Sequence, residues 1–328
     1  MWNVTNIALD RSIASSLSHK SYSGQAALTI GAIGVVLGNI GTSPLYAVDQ
    51  IFYGPAHIAP TPDNVLGCIS LAIWALTLIV SLKYAVFILR ADNDGEGGVF
   101  ALYSLLHNYR EAAYLPLLLA GLMLGAGFLC GDSIISPAIS VLAAVEGLEV
   151  ATPMFRGAVI PITVGILALL FAVQHRGTSG VGPIFGPVLI IWFIVLAVLG
   201  VWQIQSHPDI LRACNPAYAV AFLWETKAYS VLITLGALML VVSGGEAMYA
   251  DLGHFGALPI RVGWFAIAFP ALLLNYLGQG ALMREHSPAA TRIGANRQIA
   301  RTPGIGPSVR ATLRVWAMQR NLSLLRRR

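Results

Sequence analysis

A run of apolar residues from Ala26 to about Phe52 is long enough to cross a bilayer, yet residues 38 to 46, Gly-Asn-Ile-Gly-Thr-Ser-Pro-Leu-Tyr, interrupt it. Gly41 and Pro44 oppose an unbroken helix. Glycine costs about 1 kcal/mol relative to alanine in a helix, and proline lacks an N–H and clashes with the preceding turn. A helix broken at membrane depth survives only where the freed backbone groups are buried in protein or line a polar cavity. In secondary transporters such breaks carry the ion or substrate site. The first apolar run therefore points to transport.

Composition agrees with a membrane protein. The chain is 56% hydrophobic and 11% charged, with a mean hydropathy of +0.72, against roughly 25% charged residues in a soluble domain. Residues 1–25 are polar and precede an apolar run too long and too broken for a signal peptide, so they read as a retained cytoplasmic segment. Cys68, Cys130 and Cys214 are single and widely spaced, which favours small buried hydrophobes over disulfides or a metal knuckle.

Apolar stretches of about 20 residues give seven spans, near residues 27–53, 64–89, 115–147, 157–174, 182–204, 229–250 and 262–283. The third holds Pro137 and exceeds what a bilayer needs; the fourth is short. The sixth contains Ser243-Gly244-Gly245-Glu246, a second interruption five spans after the first. Paired interruptions at corresponding places in two halves mark an inverted-repeat transporter. The expected class is an all-α polytopic membrane protein whose first and sixth spans are broken.

With the N-terminus inside, Arg11, Lys20, Arg90, Arg110, Arg176 and Arg261 fall on the inner side, and only Arg156, Arg212 and Lys227 on the outer. The rule then fails. Residues 284–328 would lie outside, yet they carry ten arginines against Glu285 alone, a tail of +9 in a chain of +5 overall. That tail reads as a basic lipid- or nucleic-acid-binding arm, as a disordered terminus, or as sequence foreign to the fold. The abrupt change at Met283 favours the last, as a shifted reading frame in a GC-rich gene would produce.

Five segments in order carry a family resemblance. They are residues 38–46, Gly95-Glu-Gly-Gly-Val-Phe-Ala-Leu-Tyr-Ser-Leu105, Gly131-Asp-Ser-Ile-Ile-Ser-Pro-Ala-Ile-Ser140, Arg176-Gly-Thr-Ser-Gly-Val-Gly182 and Gly244-Gly-Glu-Ala-Met-Tyr-Ala-Asp-Leu-Gly-His-Phe-Gly256. Over residues 26–283 the chain resembles the KUP/HAK/KT potassium-uptake permeases. That resemblance implies a K+:H+ symporter of the cell inner membrane with the LeuT/APC-like inverted-repeat fold. It also implies more spans than the seven here, so the fold would be incomplete. The ligands implied are a potassium ion, a proton and the lipid bilayer, with no further cofactor and no nucleic acid.

A bare carboxylate inside a span costs several kcal/mol and is a functional-site candidate by default. Glu246 stands beside Gly244 and Gly245, whose loosened backbone could offer carbonyl oxygens, with Tyr249 one turn beyond. The bland alternative is a carboxylate capping nearby N–H groups. Asp132 stands near Ser133 and Ser136, which could simply satisfy it. Both match acidic positions of the family, although Glu is common where Asp132 stands. Asn39 departs from the pattern, which has Asp: it keeps an oxygen ligand but loses charge and titration, so proton coupling would fall to Asp132 or Glu246. Thr42, Ser43 and Tyr46 add hydroxyl oxygens of the kind alkali cations accept, or cap the half-helices. The expected K+ site is thus Asn39, Thr42, Tyr46, Asp132, Ser136, Gly244, Gly245, Glu246 and Tyr249.

Other motifs are blander. Gly95-Glu-Gly-Gly has no Gly-Lys-Ser/Thr continuation and shapes a loop before an amphipathic helix. Gly34/Gly38, Gly121/Gly125 and Gly127/Gly131 have the spacing that lets helices approach closely. His175, His207 and His254 have no ligand-spaced partners. No His-Glu-x-x-His or nucleophile elbow occurs, so an enzyme is not expected. The competing readings are an APC-type permease for an organic solute and an inactive truncated remnant of a potassium transporter.

Overall fold

The computed structural model describes residues 24–56, 58–107, 115–151, 157–174 and 182–285, and among them every regular element is helical. The first span consists of α1 (Gly24–Val35) and α2 (Gly38–Tyr53), bent by 54° at the break between them. After it come α3 (Pro62–Arg90), α4 (Gly98–His107), α5 (Leu115–Ala151), α6 (Val159–Gln174), α7 (Gly182–Ser206) and α8 (Pro216–Glu225). The sixth apolar run gives α9 (Ala228–Val242), then the short turns α10 (Ala247–Ala250) and α11 (Leu252–Phe255). The last described helix is α12 (Ala257–Arg284).

The seven expected spans resolve into six that are long and apolar enough to cross a membrane, counting the bent pair as one, and α6, whose 16 residues fall short. At 1.5 Å per residue α5 is about 55 Å long, well beyond the roughly 30 Å of a hydrocarbon core. The Arg-rich tail beyond residue 285, and His175, lie outside the described residues.

Local chemistry sets several helix starts. Thr61 Oγ1 accepts the Asn64 N–H at 3.3 Å with Pro62 at the first helical position. Asn215 Oδ1 caps α8 in the same way, accepting the Ala217 N–H at 2.9 Å ahead of Pro216. Helix α8 and the 3₁₀ stretch Pro208–Cys214 before it are not anticipated in the sequence. They dock on α3 through polar pins: Trp74 Nε1 donates to Cys214 O at 3.1 Å and Ser70 Oγ to Asn215 O at 3.0 Å.

Helices in lipid associate by close packing more than by burial from water, and glycines do that work here. A Cβ at Gly278 of α12 would lie 2.6 Å from Gly200 Cα of α7, so these two backbones are in contact. A Cβ at Gly34 would lie 2.5 Å from the Gly186 amide nitrogen, which joins α1 to α7. The glycines of α5 differ: Gly121, Gly125, Gly127 and Gly131 have no described atom within 4 Å of a Cβ position. The small-residue spacing therefore marks packing in α1 but not among the described residues around α5. The cysteine expectation is corrected similarly, because Cys68 is buried while Cys130 and Cys214 are exposed.

Candidate functional site

At the first break, the Val36 and Leu37 N–H groups both donate to Ala32 O, at 2.8 and 3.2 Å, which widens the last turn of α1. A helical turn at Gly38–Thr42 and a 3₁₀ turn at Ser43–Leu45, with Pro44 inside it, follow before the helix resumes. At the second break the chain leaves α9 at Ser243 and passes through Gly244 at φ +90°, a conformation that costs glycine nothing and strains any other residue. The two breaks touch. A Cβ at Gly244 would lie 2.8 Å from the Ile40 amide nitrogen and 2.9 Å from Asn39 Cβ.

Helix α5 supplies the third wall. Asp132 Oδ1 accepts hydrogen bonds from Ser136 Oγ at 2.8 Å and Ser243 Oγ at 3.1 Å, so it ties α5 to the second break. Ser133 turns away and donates to Leu129 O at 2.8 Å. Both oxygens of Glu246 lie 3.1 Å from the Gly244 N–H, which they cap. Asp132 and Glu246 stand close enough for each carboxyl to feel the other's charge, a juxtaposition of like charges that a shared proton or a cation would relieve. Tyr84 of α3 is close enough to feel the Glu246 charge.

The remaining expected residues divide. Thr42 Oγ1 donates to Asn39 O at 2.8 Å and also pairs with Ser140 Oγ at 2.9 Å, so it shapes the first break at the edge of the carboxyl group. Gly245 packs on Val80, where a Cβ would come within 3.3 Å of Cγ2. Tyr46 is buried beside Tyr276 of α12. The Tyr249 hydroxyl donates to Ala91 O at 2.6 Å, beyond the end of α3, and so is committed away from the carboxyls. The site thus gathers Asn39, Asp132, Ser136, Gly244 and Glu246, with Thr42 and Gly245 beside them and Tyr46 and Tyr249 on the flanks. Ser243 is the member that sequence reasoning missed; its place just before Gly244-Gly245 was the available signal.

Freed carbonyls at the first break are satisfied by side chains from outside the site. Trp192 Nε1 of α7 donates to Gly41 O at 2.8 Å, and Gln279 Nε2 of α12 donates to Pro44 O at 2.8 Å. Ser43 Oγ and Tyr276 Oη are buried with no partner among the described residues.

This arrangement can be set beside known proteins. Residues 26–296 match the model of the family described as the K+ potassium transporter integral membrane domain. The chain is 55% identical over 267 residues to the probable potassium transport system protein Kup 1 of Geobacter sulfurreducens, covering 80% of this chain and 42% of that protein. It is 54% identical over 270 residues to the probable potassium transport system protein Kup of Polaromonas naphthalenivorans, covering 81% and 43%. The chain therefore spans less than half the length of these curated relatives. No solved structure matches it. By the extent of the family match and the identity to these relatives, the chain belongs to the K+ potassium transporter family.

Proposed function

We propose that this chain carries the ion site of a permease that imports potassium across the bacterial inner membrane together with a proton, on a LeuT/APC-like inverted repeat with a cytoplasmic N-terminus. The observation that carries this reading is the meeting of Asp132 and Glu246 where two broken spans touch through Asn39 and Gly244. Potassium transport is also what the names of the relatives state.

Charge balance argues for coupling. Two like charges about 4 Å apart repel by about 4 kcal/mol at an effective dielectric of 20, a repulsion that positive charge bound between them removes. One potassium ion and one proton together neutralise two carboxylates. The loaded site is then uncharged and can be occluded between low-dielectric walls, whereas a site holding only one of the two stays charged. Asn39 adds an oxygen without a third negative charge, which preserves this balance. The side-chain oxygens of Asn39, Asp132, Ser136, Ser243 and Glu246 replace the hydration shell of the cation. Thr42 and Gly245 hold the breaks in shape, and Tyr46 and Tyr249 act at the flanks.

The test is growth rescue and rubidium uptake in a bacterium lacking potassium uptake, with the amount in the membrane matched between the unaltered chain and Glu246→Gln. Uptake that Glu246→Gln abolishes supports the reading. Equal uptake by both, or none by either at matched amounts, contradicts transport by this chain through this site.

A further inference from the structure

Gly41 O and Pro44 O belong to the helical turn and the 3₁₀ turn that follow the break in the first span, two and five residues past Asn39. Backbone carbonyls freed at a break need partners when they are buried. In this fold the partners are two side chains with no other part in the site, the Trp192 indole and the Gln279 amide, each at 2.8 Å.

Their own placement is fixed. Gln279 is 3% exposed, and its amide nitrogen also donates to Asn275 Oδ1 at 2.7 Å; Asn275, 5% exposed, donates in turn to Leu196 O of α7 at 3.3 Å. A buried relay therefore runs from α7 through α12 to Pro44. Trp192 leaves α7 one turn before Leu196, and α7 and α12 are locked by backbone contact at Gly200 and Gly278. Phe193, the next residue of α7, lies under Gly41, where a Cβ would come within 3.0 Å of its ring. The two donors thus stand on one helix pair and grip the chain on either side of Ser43, where the helical turn passes into the 3₁₀ turn. The second break has a different support: its N–H at Gly244 is capped by Glu246 itself, a group that the ion would engage.

We propose that Trp192 and Gln279 are positioning residues, which pin the Gly41 and Pro44 carbonyls to the α7–α12 pair and thereby hold Asn39 in register with Gly244, Asp132 and Glu246. The first break is then the fixed wall of the site and the second the wall that yields. This inference rests on the ion-site reading above, and its test has one arm that does not.

Amide hydrogen exchange over residues 41–47 and potassium affinity would be measured on the full chain in lipid nanodiscs, unaltered and as Trp192→Phe, Gln279→Met and Gln279→Glu. Loss of one hydrogen bond of ordinary strength corresponds to roughly a fivefold change in local opening. Trp192→Phe and Gln279→Met should each raise exchange in this segment by about that factor, leave exchange at Ser243–Ala250 unchanged, and weaken potassium binding severalfold. Gln279→Glu, whose buried carboxyl has one donor and only when protonated, should recover part of the protection of residues 41–47 at low pH, after correction for intrinsic exchange, and lose it at high pH. Unchanged exchange in both donor-less variants would overturn the clamp, as would raised exchange with unaltered potassium affinity. If the unaltered chain shows no potassium response, the ion-site reading and the positioning role fall together, and the exchange arm still decides whether the grip on the turn exists. General unfolding would raise exchange at Ser243–Ala250 as well and would also count against the proposal.

Discussion

Ser243 and Asp132 are joined by a 3.1 Å hydrogen bond that crosses from the break in the sixth apolar run to the middle of α5. That bond fixes a carboxylate of one helix against the backbone interruption of another, and Glu246 completes the group from three residues further along. Separating the hydroxyl from the charge is therefore informative. Ser243→Ala removes one donor from Asp132 while Ser136 remains, so stability should fall by about 1.5 to 3 kcal/mol, the range for a bond to a charged group. Rubidium uptake should fall with a raised KM. Thermal melting in detergent and uptake kinetics check the two parts.

Glu246 has two duties, capping Gly244 N–H and facing Asp132. Glu246→Gln keeps an oxygen for the cap, so melting should change little while uptake is lost. Glu246→Ala loses both and should also lower stability by about 1 kcal/mol. Comparing melting temperatures of the two variants separates the structural duty from the ionic one.

Gly244 leaves no room for a side chain. Gly244→Ala combines a φ of +90° with a Cβ 2.8 Å from the Ile40 nitrogen, so it should cost about 1 to 3 kcal/mol. Gly236 in α9, with no atom within 4 Å, is the control: Gly236→Ala should be neutral or stabilise. The readout is the difference in melting temperature between the two.

Two tyrosines should respond in opposite ways. Tyr249→Phe breaks the 2.6 Å bond to Ala91 O and strands a carbonyl, costing about 1 to 3 kcal/mol. Tyr276→Phe removes a buried hydroxyl that has no described partner, so stability should hold or rise. A melting experiment on both variants distinguishes them.

Much of this organisation is legible in the sequence because bilayer spans have a required length and composition. Seven apolar runs were visible, and each has a helix within a few residues of its expected place. The breaks were visible because Pro44, Gly41 and Gly244-Gly245 violate helix rules, and Asp132 and Glu246 because carboxylates are costly in lipid. Helix α8 was hidden, since Pro216–Glu225 is too short for a span and reads as loop until Asn215 and Pro216 are recognised as its start. Pairing was hidden as well. No periodicity tells that Ser243 faces Asp132, that Thr42 meets Ser140, or that Tyr249 turns to Ala91 instead of the carboxyls. Those are contacts between residues about 100 or more positions apart, set by how helices cross. Asn275 and Gln279, a polar pair one turn apart in the seventh run, carry a signal of the same kind as the two carboxylates.

On the proposed reading, Asp132 and Glu246 bind one potassium ion between the two breaks. Equilibrium binding of radioactive rubidium to the full chain in nanodiscs, competed by potassium and by sodium, tests it most directly when repeated on Asp132→Asn and Glu246→Gln. Binding should saturate, be displaced by potassium and not by sodium, and be lost in either variant while the protein stays folded. Potassium-displaceable binding that survives in both variants would contradict it.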